Sequence, residues 1–237
     1  MERVIVLTTI YNCDKYLNKC LDSIKSQNYK NWICYLLNDL STDRSKEIAE
    51  SYCSSDPRFV LINNSIKYYQ PGNYDQILRS NLVSDEDVVV EVDGDDWLAT
   101  PEALSKVVEK HKEGFLITHG SFIYSDGRPG FSKPFTVEQL RVSIANATHL
   151  RSWRAKLWKS IKVEDLFVND WYAETAGDVF FMLPMLEMAG NDRICHMKDI
   201  LYIYNESNPI NDHKVNLQKQ LTFANIGRAK NKYARKF

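Results

Sequence analysis

Three carboxylates, Asp93, Asp95 and Asp96, stand within four consecutive positions, with Gly94 between the first two. They follow directly on Val88-Val89-Val90-Glu91-Val92, an apolar β-branched run without helical period that reads as a buried strand. The glycine lets the backbone turn between the acids. Ligands of open α/β sheets gather just beyond the carboxyl ends of the strands. Carboxylates crowded there repel one another unless a cation or a donor-rich ligand offsets their charge. The chemistry this pattern suits is a Mg²⁺ or Mn²⁺ site that also holds a phosphate-bearing substrate. The plainer alternative is an acidic surface turn, since Asp-Gly is a common turn dipeptide.

The elements that must position these acids are legible on either side of them. Val4 to Leu7 reads as a short buried strand running into Thr8-Thr9-Ile10-Tyr11-Asn12, and Asn12 or Asp14 can cap a helix carrying Leu17, Cys20, Leu21 and Ile24 at helical spacing. A second strand, Trp32 to Leu37, leads through Asn38-Asp39-Leu40 to Ser41, Thr42 and Asp43, which supply capping chemistry for a helix with Ile48, Ala49 and Tyr52 inward. Phe59 to Ile62 is a third strand, and Tyr74, Ile77, Leu78 and Leu82 mark a helix after Pro71-Gly72. Thr100-Pro101 begins another, with Leu104, Val107, Val108 and His111 as its inner face. Strands alternating with helices over residues 1–112 predict an α/β fold with a parallel, doubly wound sheet.

From Phe115 the pattern changes. Phe115 to Tyr124 reads as one strand, and Ser125-Asp126-Gly127 as a turn suited to a hairpin. Helical spacing runs through Leu150, Trp153, Leu157, Trp158 and Ile161, and Asp178 to Ala189 forms an almost wholly apolar helix that Pro184 should kink. Ile200 to Tyr204 is a late strand, residues 205–213 a polar loop, and the five basic residues from Arg228 onward a frayed, solvated helix end. No linker-like composition divides the chain. A single domain over residues 1–237 is expected, with 113–215 and a C-terminal helix and basic tail at 216–237 continuing the first half.

A formal net charge of −1, with charged residues at 26%, sets up no field to recruit nucleic acid. The five cysteines are odd in number and without close metal-type pairing, which suits a reduced, cytoplasmic chain. The apolar run after Met1 is too short for a signal peptide and no stretch approaches a membrane span, so a soluble protein, or at most one touching a membrane surface, is expected.

The segments VIVLTTIYN, LLNDLSTDRS and VDGDDWL, in that order, resemble the nucleotide-sugar half of family 2 glycosyltransferases, which have the Rossmann-like GT-A fold. HLRSWRAKLW, GDVFFMLPMLEMAG and LYIYNESNPINDH look like the acceptor half of bacterial and viral members, so that the resemblance covers roughly residues 3 to 215. It implies a nucleotide-diphosphate sugar donor, a glycan or glycoconjugate acceptor, and Mn²⁺ or Mg²⁺ as cofactor. Thr9 and Tyr11 match positions lining the nucleobase, and Asp39 the acid that accepts the uracil imide N–H, a charge-assisted bond. Asn38 and Leu40 depart from the usual Asp and Gly there. Asp93-Gly94-Asp95 matches the DXD motif, with Asp93 toward the ribose or a metal-bound water and Asp95 on the metal; Asp96 is a third member or a turn cap. His213 matches a C-terminal residue returning to the metal, and Asn73 a region closing over the ribose.

For the acceptor hydroxyl the resemblance implies Asp178 as general base, with Gly177 standing where another acid or a tryptophan often precedes it. Glu174 is the fallback, one turn upstream and suited to the same helical face. His149, Arg151, Trp153 and Arg154 are candidates for acceptor or diphosphate contacts, although Trp153 and Trp158 suit a helix interior better. The alternatives are a nucleotidyltransferase, for which the glycine- and lysine-rich phosphate loop is missing from residues 8–12, and a binding module that has lost catalysis.

Overall fold

The structure, a computed structural model, describes residues 1–142 and 147–237, with the side chains of Asp212 and His213 outside the described set. The first half follows the expected alternation: β1 (Val4–Ile10), α1 (Asp14–Lys25), β2 (Trp32–Asn38), α2 (Ser45–Ser55), β3 (Phe59–Asn63), α3 (Tyr69–Leu78), β4 (Val88–Glu91), β5 (Trp97–Leu98) and α4 (Ala103–Lys112). The second half contributes β6 (Ile117–Tyr124), β7 (Ser152–Arg154), α5 (Ala155–Lys159), a small hairpin of β8 (Phe167–Val168) and β9 (Trp171–Tyr172), α6 (Gly177–Ala189), β10 (Ile194–Tyr204), α7 (Asp212–Val215) and α8 (Leu217–Ala229).

Eight strands form one mixed sheet in the order β3-β2-β1-β4-β7-β6-β10-β5. The pairs β1–β2, β1–β4, β2–β3 and β6–β10 are parallel; β7 is antiparallel to both β4 and β6, and β5 to β10. Successive residues of a strand face opposite sides of the sheet. In β1, Val4 and Val6 therefore join the core under α1, α2 and α4, while Ile5 and Leu7 join the core under α3, α5 and α6. Both faces are covered, which is why these strands read as unbroken apolar runs rather than alternating ones.

Several local expectations give way to tertiary context. Leu150 and Trp153 do not belong to a helix: residues 152–154 are extended, and only Ala155–Lys159 is helical. The open edges of β4 and β6 offer residues 152–154 two ladders of backbone partners, which outweighs a helical apolar period. Trp153 and Trp158 are both fully buried in the core under α3 and α6 and present no face to a sugar. Leu82 lies beyond α3 and is exposed, β6 begins at Ile117 rather than Phe115, and β10 begins at Ile194, six residues before the expected Ile200. The turn after β6 forms, but its return is a single bridge, Ile123 to Pro129.

The basic tail does not fray. Lys236 and Phe237 donate backbone N–H bonds to Met188 O at 2.9 and 3.2 Å, and Tyr233 N–H donates to Glu187 Oε2 at 2.8 Å. Glu187 is buried and also holds Arg141, so the tail is strapped to the end of α6 through a buried acid. Among the described residues, no helix is long and apolar enough to cross a membrane.

Candidate active site

The carboxyl ends of β1, β2 and β4 meet at one point, as a parallel arrangement requires. Gly94 N–H donates to Thr9 O at 3.0 Å, and Asp39 N–H to Ile10 O at 2.9 Å, so the loops after the three strands are stitched together by backbone bonds. A Cβ on Gly94 would lie 2.7 Å from Thr9 O and 3.0 Å from Cys13 Sγ. The glycine is required for close approach: its φ is not in the left-handed region.

A cleft of about 430 Å³ opens over this junction, lined by Thr9, Tyr11, Asp39, Asn73, Asp93 and Asp95 among others. With Glu174, seven of the residues singled out from sequence thus share one cavity. Asp93 Oδ1 accepts a bond from Thr9 Oγ1 at 3.2 Å, and Asp95 Oδ2 one from Asn208 Nδ2 at 2.7 Å. Burial holds the Asp93 carboxyl well above the ordinary range, with Glu91 and Asp95 adding repulsion; burial likewise raises Asp95. Asp96 is buried and accepts Tyr202 Oη–H at 2.8 Å and Asn205 N–H at 2.6 Å, tying the end of β10 to the acidic turn.

Asp39 is already engaged. Its Oδ1 accepts Asn64 Nδ2 and Tyr68 N–H, and its Oδ2 accepts Tyr69 N–H, each at 2.9 Å. The acid caps the start of α3, thirty residues on, rather than the helix that follows it. Lys67 Nζ lies 3.1 Å from the centroid of the Tyr11 ring and donates to Asp39 O at 2.8 Å. An ammonium therefore rests on the ring face expected to receive a base. Asn73 is buried and bridges Asn64 to Tyr69 O.

On the other side of the sheet's midline, Asp178 opens α6. Its Oδ1 accepts Val179 N–H at 3.0 Å and its Oδ2 accepts Arg151 Nη2 at 2.7 Å. Arg151 is buried and also holds both oxygens of Glu91, at 3.2 Å each. Glu91, fully buried, takes a further bond from Gln70 Nε2 at 2.7 Å, and burial raises its pKa. Glu91, at the end of β4, and Arg151, just before β7, are cross-strand neighbours, since Glu91 N–H donates to Arg151 O at 3.2 Å. Neither half of this pair stands out in the sequence as partner of the other. An acid closing an otherwise apolar run is the one signal that a buried cation must face it.

Gly177 is forced as well. A Cβ there would meet Pro71 Cδ and Cγ at 2.9 Å, so α3 fills the space that a larger residue before Asp178 would need. Glu174 does not share a helical face with Asp178. It lies before α6, separated by Ala176 in the left-handed region, and pairs with Lys219 of α8. It lines the first cleft. His213 lies in α7 with its side chain outside the described residues, so its metal role rests on sequence alone.

Arg154 turns away from the site to Glu2 and the carbonyl of His111. His149 stacks on Tyr202 at 4.6 Å, and its buried Nδ1 finds no partner among the described residues; burial and Arg151 push its pKa well down. One ligand atom each from Glu91, Asp93 and His149 lie within 4.8 Å of one another. Glu91 is held by Arg151; Asp93 is the acid common to this group and to the first cleft, where Asp95 lies beside it. Their types suit Mn²⁺ or Mg²⁺, and a cation would relieve the repulsion that raises Asp93.

A second cavity of about 440 Å³ includes Asp178, Arg151 and His149 in its lining. Between the two lies a recess of about 250 Å³ lined by Asp93 and Asp178 together with Gln70, His149, Arg151 and Glu174. Two clefts that meet between a cation-suited acid and a helix-opening carboxylate can bring two substrates together.

The sequence pattern of Glycosyl transferase family 2 matches residues 5–169. The chain is similar to EpsE of Bacillus subtilis strain 168, 33% identical over 128 residues that make up 52% of this chain and 45% of EpsE. Its fold is similar to that of TarS residues 1–349 from S. aureus in complex with UDP-GlcNAc, with a TM-score of 0.67 at 19% identity over 86% of this chain and 58% of that one. It is also similar to that of glucosyl-3-phosphoglycerate synthase from Mycobacterium tuberculosis in complex with Mn²⁺, UDP and glucosyl-3-phosphoglycerate, with a TM-score of 0.67 at 11% identity over 97% of this chain and 81% of that one. The chain thus spans less than half of EpsE and under two thirds of the TarS fragment. The mixed α/β sheet is the GT-A arrangement, and the match over residues 5–169 places the chain in glycosyltransferase family 2.

Proposed function

We propose that this protein moves a sugar from a nucleoside diphosphate donor, a UDP-sugar, to a hydroxyl of a glycan or glycoconjugate, with inversion at the anomeric carbon. The observation that carries the reading is the recess in which Asp93 of the first cleft and Asp178 of the second line the same space. The TarS and glucosyl-3-phosphoglycerate synthase complexes, which hold UDP-GlcNAc and UDP, support the choice of donor.

The nucleotide would lie in the first cleft, its base between Tyr11 and Asp39 and its diphosphate toward Asp93 and Asp95. A divalent cation, Mn²⁺ or Mg²⁺, would be held by Asp95 and Asp93, with His213 a further candidate; when bound it supplies Lewis-acid neutralisation of the leaving diphosphate. Asp178 accepts the proton of the acceptor hydroxyl. Each of its oxygens already takes one hydrogen bond and keeps a second lone pair for that task. Arg151, fixed by Glu91, sets the orientation of the carboxylate. The acceptor oxygen attacks the anomeric carbon from the face opposite the diphosphate, so one displacement inverts the centre.

Incubation with a panel of nucleotide sugars, with and without Mn²⁺ and after exhaustive chelation, tests the reading. Slow hydrolysis of one UDP-sugar, lost on chelation, is the expected result. Release of nucleoside monophosphate and pyrophosphate instead would make the protein a nucleotidyltransferase. UDP binding with no turnover would leave a binding module.

A further inference from the structure

The walls of the second cavity differ in kind from those of the first. Phe122, Tyr124, Phe131 and Tyr204 line it as a box of rings set nearly at right angles: Phe122 and Phe131 lie 5.5 Å apart at 87°, Tyr124 and Tyr204 5.8 Å apart at 83°. Phe131 is 57% exposed, a large apolar ring left in water beside the opening. Aromatic faces of this kind receive the C–H faces of a sugar ring.

The charged groups of the cavity are Asp178, Arg151, Glu206 and Arg228. Asp178 is paired with Arg151, and Glu206 with Arg128. Arg228 differs: among the described residues, no carboxylate, carbonyl or hydroxyl accepts from its guanidinium. Its position is fixed all the same. It sits in the last turn of α8, where Gly227 lets the helix press against α6; a Cβ on Gly227 would meet Val179 Cγ1 at 2.9 Å. Its backbone carbonyl accepts Arg141 Nη1 at 2.7 Å. Arg228 and Asp178 also share the lining of a small, mostly apolar crevice beside α6, so the two residues border the same space. An anion compensates the guanidinium better than a neutral hydroxyl, because it adds the attraction of opposite charges to the hydrogen bond that either can accept.

We propose that the acceptor is a saccharide carrying an anionic group, a carboxylate or a phosphate, which Arg228 receives while the sugar ring rests in the aromatic box beside Asp178. The inference rests on the second cavity being the acceptor site, as argued above, and it names the acceptor's chemical class.

The test compares three series of acceptors with the same ring stereochemistry: methyl hexosides, the corresponding methyl uronosides, and methyl hexoside 6-phosphates. Binding is measured by calorimetry without donor, and transfer with the donor identified by hydrolysis. Wild-type protein should favour one anionic series over the neutral one by roughly 10–100-fold in both Kd and kcat/KM, the range expected of one charge-assisted bond. The favoured series tells carboxylate from phosphate. Arg228→Gln should bring that ratio close to 1, and Arg228→Lys should restore part of it. Equal use of neutral and anionic acceptors by the wild type overturns the proposal, as does an Arg228→Gln variant that keeps the preference. If anionic sugars bind through Arg228 but no donor is ever turned over, the transferase reading fails and the site stands. Transfer without anionic preference has the opposite meaning.

Discussion

Gly94→Ala puts a single methyl group where the first cleft is built. The new Cβ would lie 2.7 Å from Thr9 O, a backbone atom that cannot swing aside, and 3.0 Å from Cys13 Sγ. Ordinary contact begins near 3.4 Å, so the two strand ends must separate by about 0.7 Å. Overpacking of this kind costs about 1–3 kcal/mol. For a chain of 237 residues that is a fall in Tm of roughly 2–12 °C. The separation also stretches the Gly94 N–H to Thr9 O bond and draws Asp93 from Thr9 Oγ1, so Asp93 and Asp95 shift against Thr9 and Tyr11 across the cleft. Misplacement approaching 1 Å can cost up to about 10² in rate. Thermal unfolding and donor hydrolysis together provide the assay. Gly127→Ala is the control: its φ of +89° makes alanine strained by about 1–2 kcal/mol, but a Cβ there meets nothing within 4 Å. Gly127→Ala should therefore lose stability alone. A Gly94→Ala protein with unchanged Tm and unchanged turnover would show that the β1 and β4 ends are not in contact as described.

Asp178→Asn keeps the shape of the side chain but removes its ability to take a proton, and should lower transfer roughly 10²–10⁴-fold while UDP binding persists; NMR of the product should show an anomeric configuration opposite to the donor's. Near-native transfer by this variant would move the search for a base to Glu174, although its pairing with Lys219 makes it a poorer candidate than its sequence position suggested. Asp39→Ala should both weaken UDP binding and destabilise the fold by about 1–2 kcal/mol, because the acid caps α3 through Tyr68 and Tyr69 N–H. Unaltered urea unfolding would remove the cap, and unaltered calorimetry the base contact. The fourth prediction concerns pH: burial, with Arg154 nearby, pushes the His111 pKa down to about 3. An unfolded histidine titrates near 6.5, so the unfolded chain binds the extra proton first and His111 lowers stability by about 1.4 kcal/mol per pH unit as pH falls from 6.5 toward 3. His111→Gln should flatten the pH dependence of urea unfolding by that slope between pH 6.5 and 4.5; identical slopes would contradict it.

The parallel half of the sheet was legible because its signals are local. β-branched runs, helical spacing and the positions of Asp39, Asp93 and Asp95 at strand ends are all read within a dozen residues. What escaped depends on partners far along the chain. Residues 152–154 carry a helical apolar spacing, yet the vacant edges of β4 and β6 convert them to strand. Arg151 reads as a candidate substrate contact; its pairing with Glu91, sixty residues earlier, was not legible. Asp39 reads only as a partner for a nucleobase; that it also caps a helix beginning thirty residues on could not be seen. The basic tail looked solvated because nothing near it in sequence is acidic; its acids, Asp165, Glu187 and Asp192, arrive by folding.

The narrow strand β7 has a geometric consequence for the reaction. The parallel run β3-β2-β1-β4 and the parallel pair β6-β10 never hydrogen-bond to each other; every ladder between them passes through Ser152, Trp153 and Arg154. Asp93 belongs to the first run, and Asp178 is held by Arg151, the residue just before this strand. The pairing of Val90 with Ser152 therefore acts as a ruler between Asp93 and Asp178, the acids proposed to serve the diphosphate and the acceptor hydroxyl. A strand can slip only by two residues if its side chains are to keep their faces, which is about 6.8 Å at roughly 3.4 Å per residue. No intermediate spacing exists on such a ruler. Fine adjustment of the gap between donor and acceptor must come from side-chain length at Glu91, Arg151 and Asp178, while the backbone offers only a coarse, all-or-nothing step.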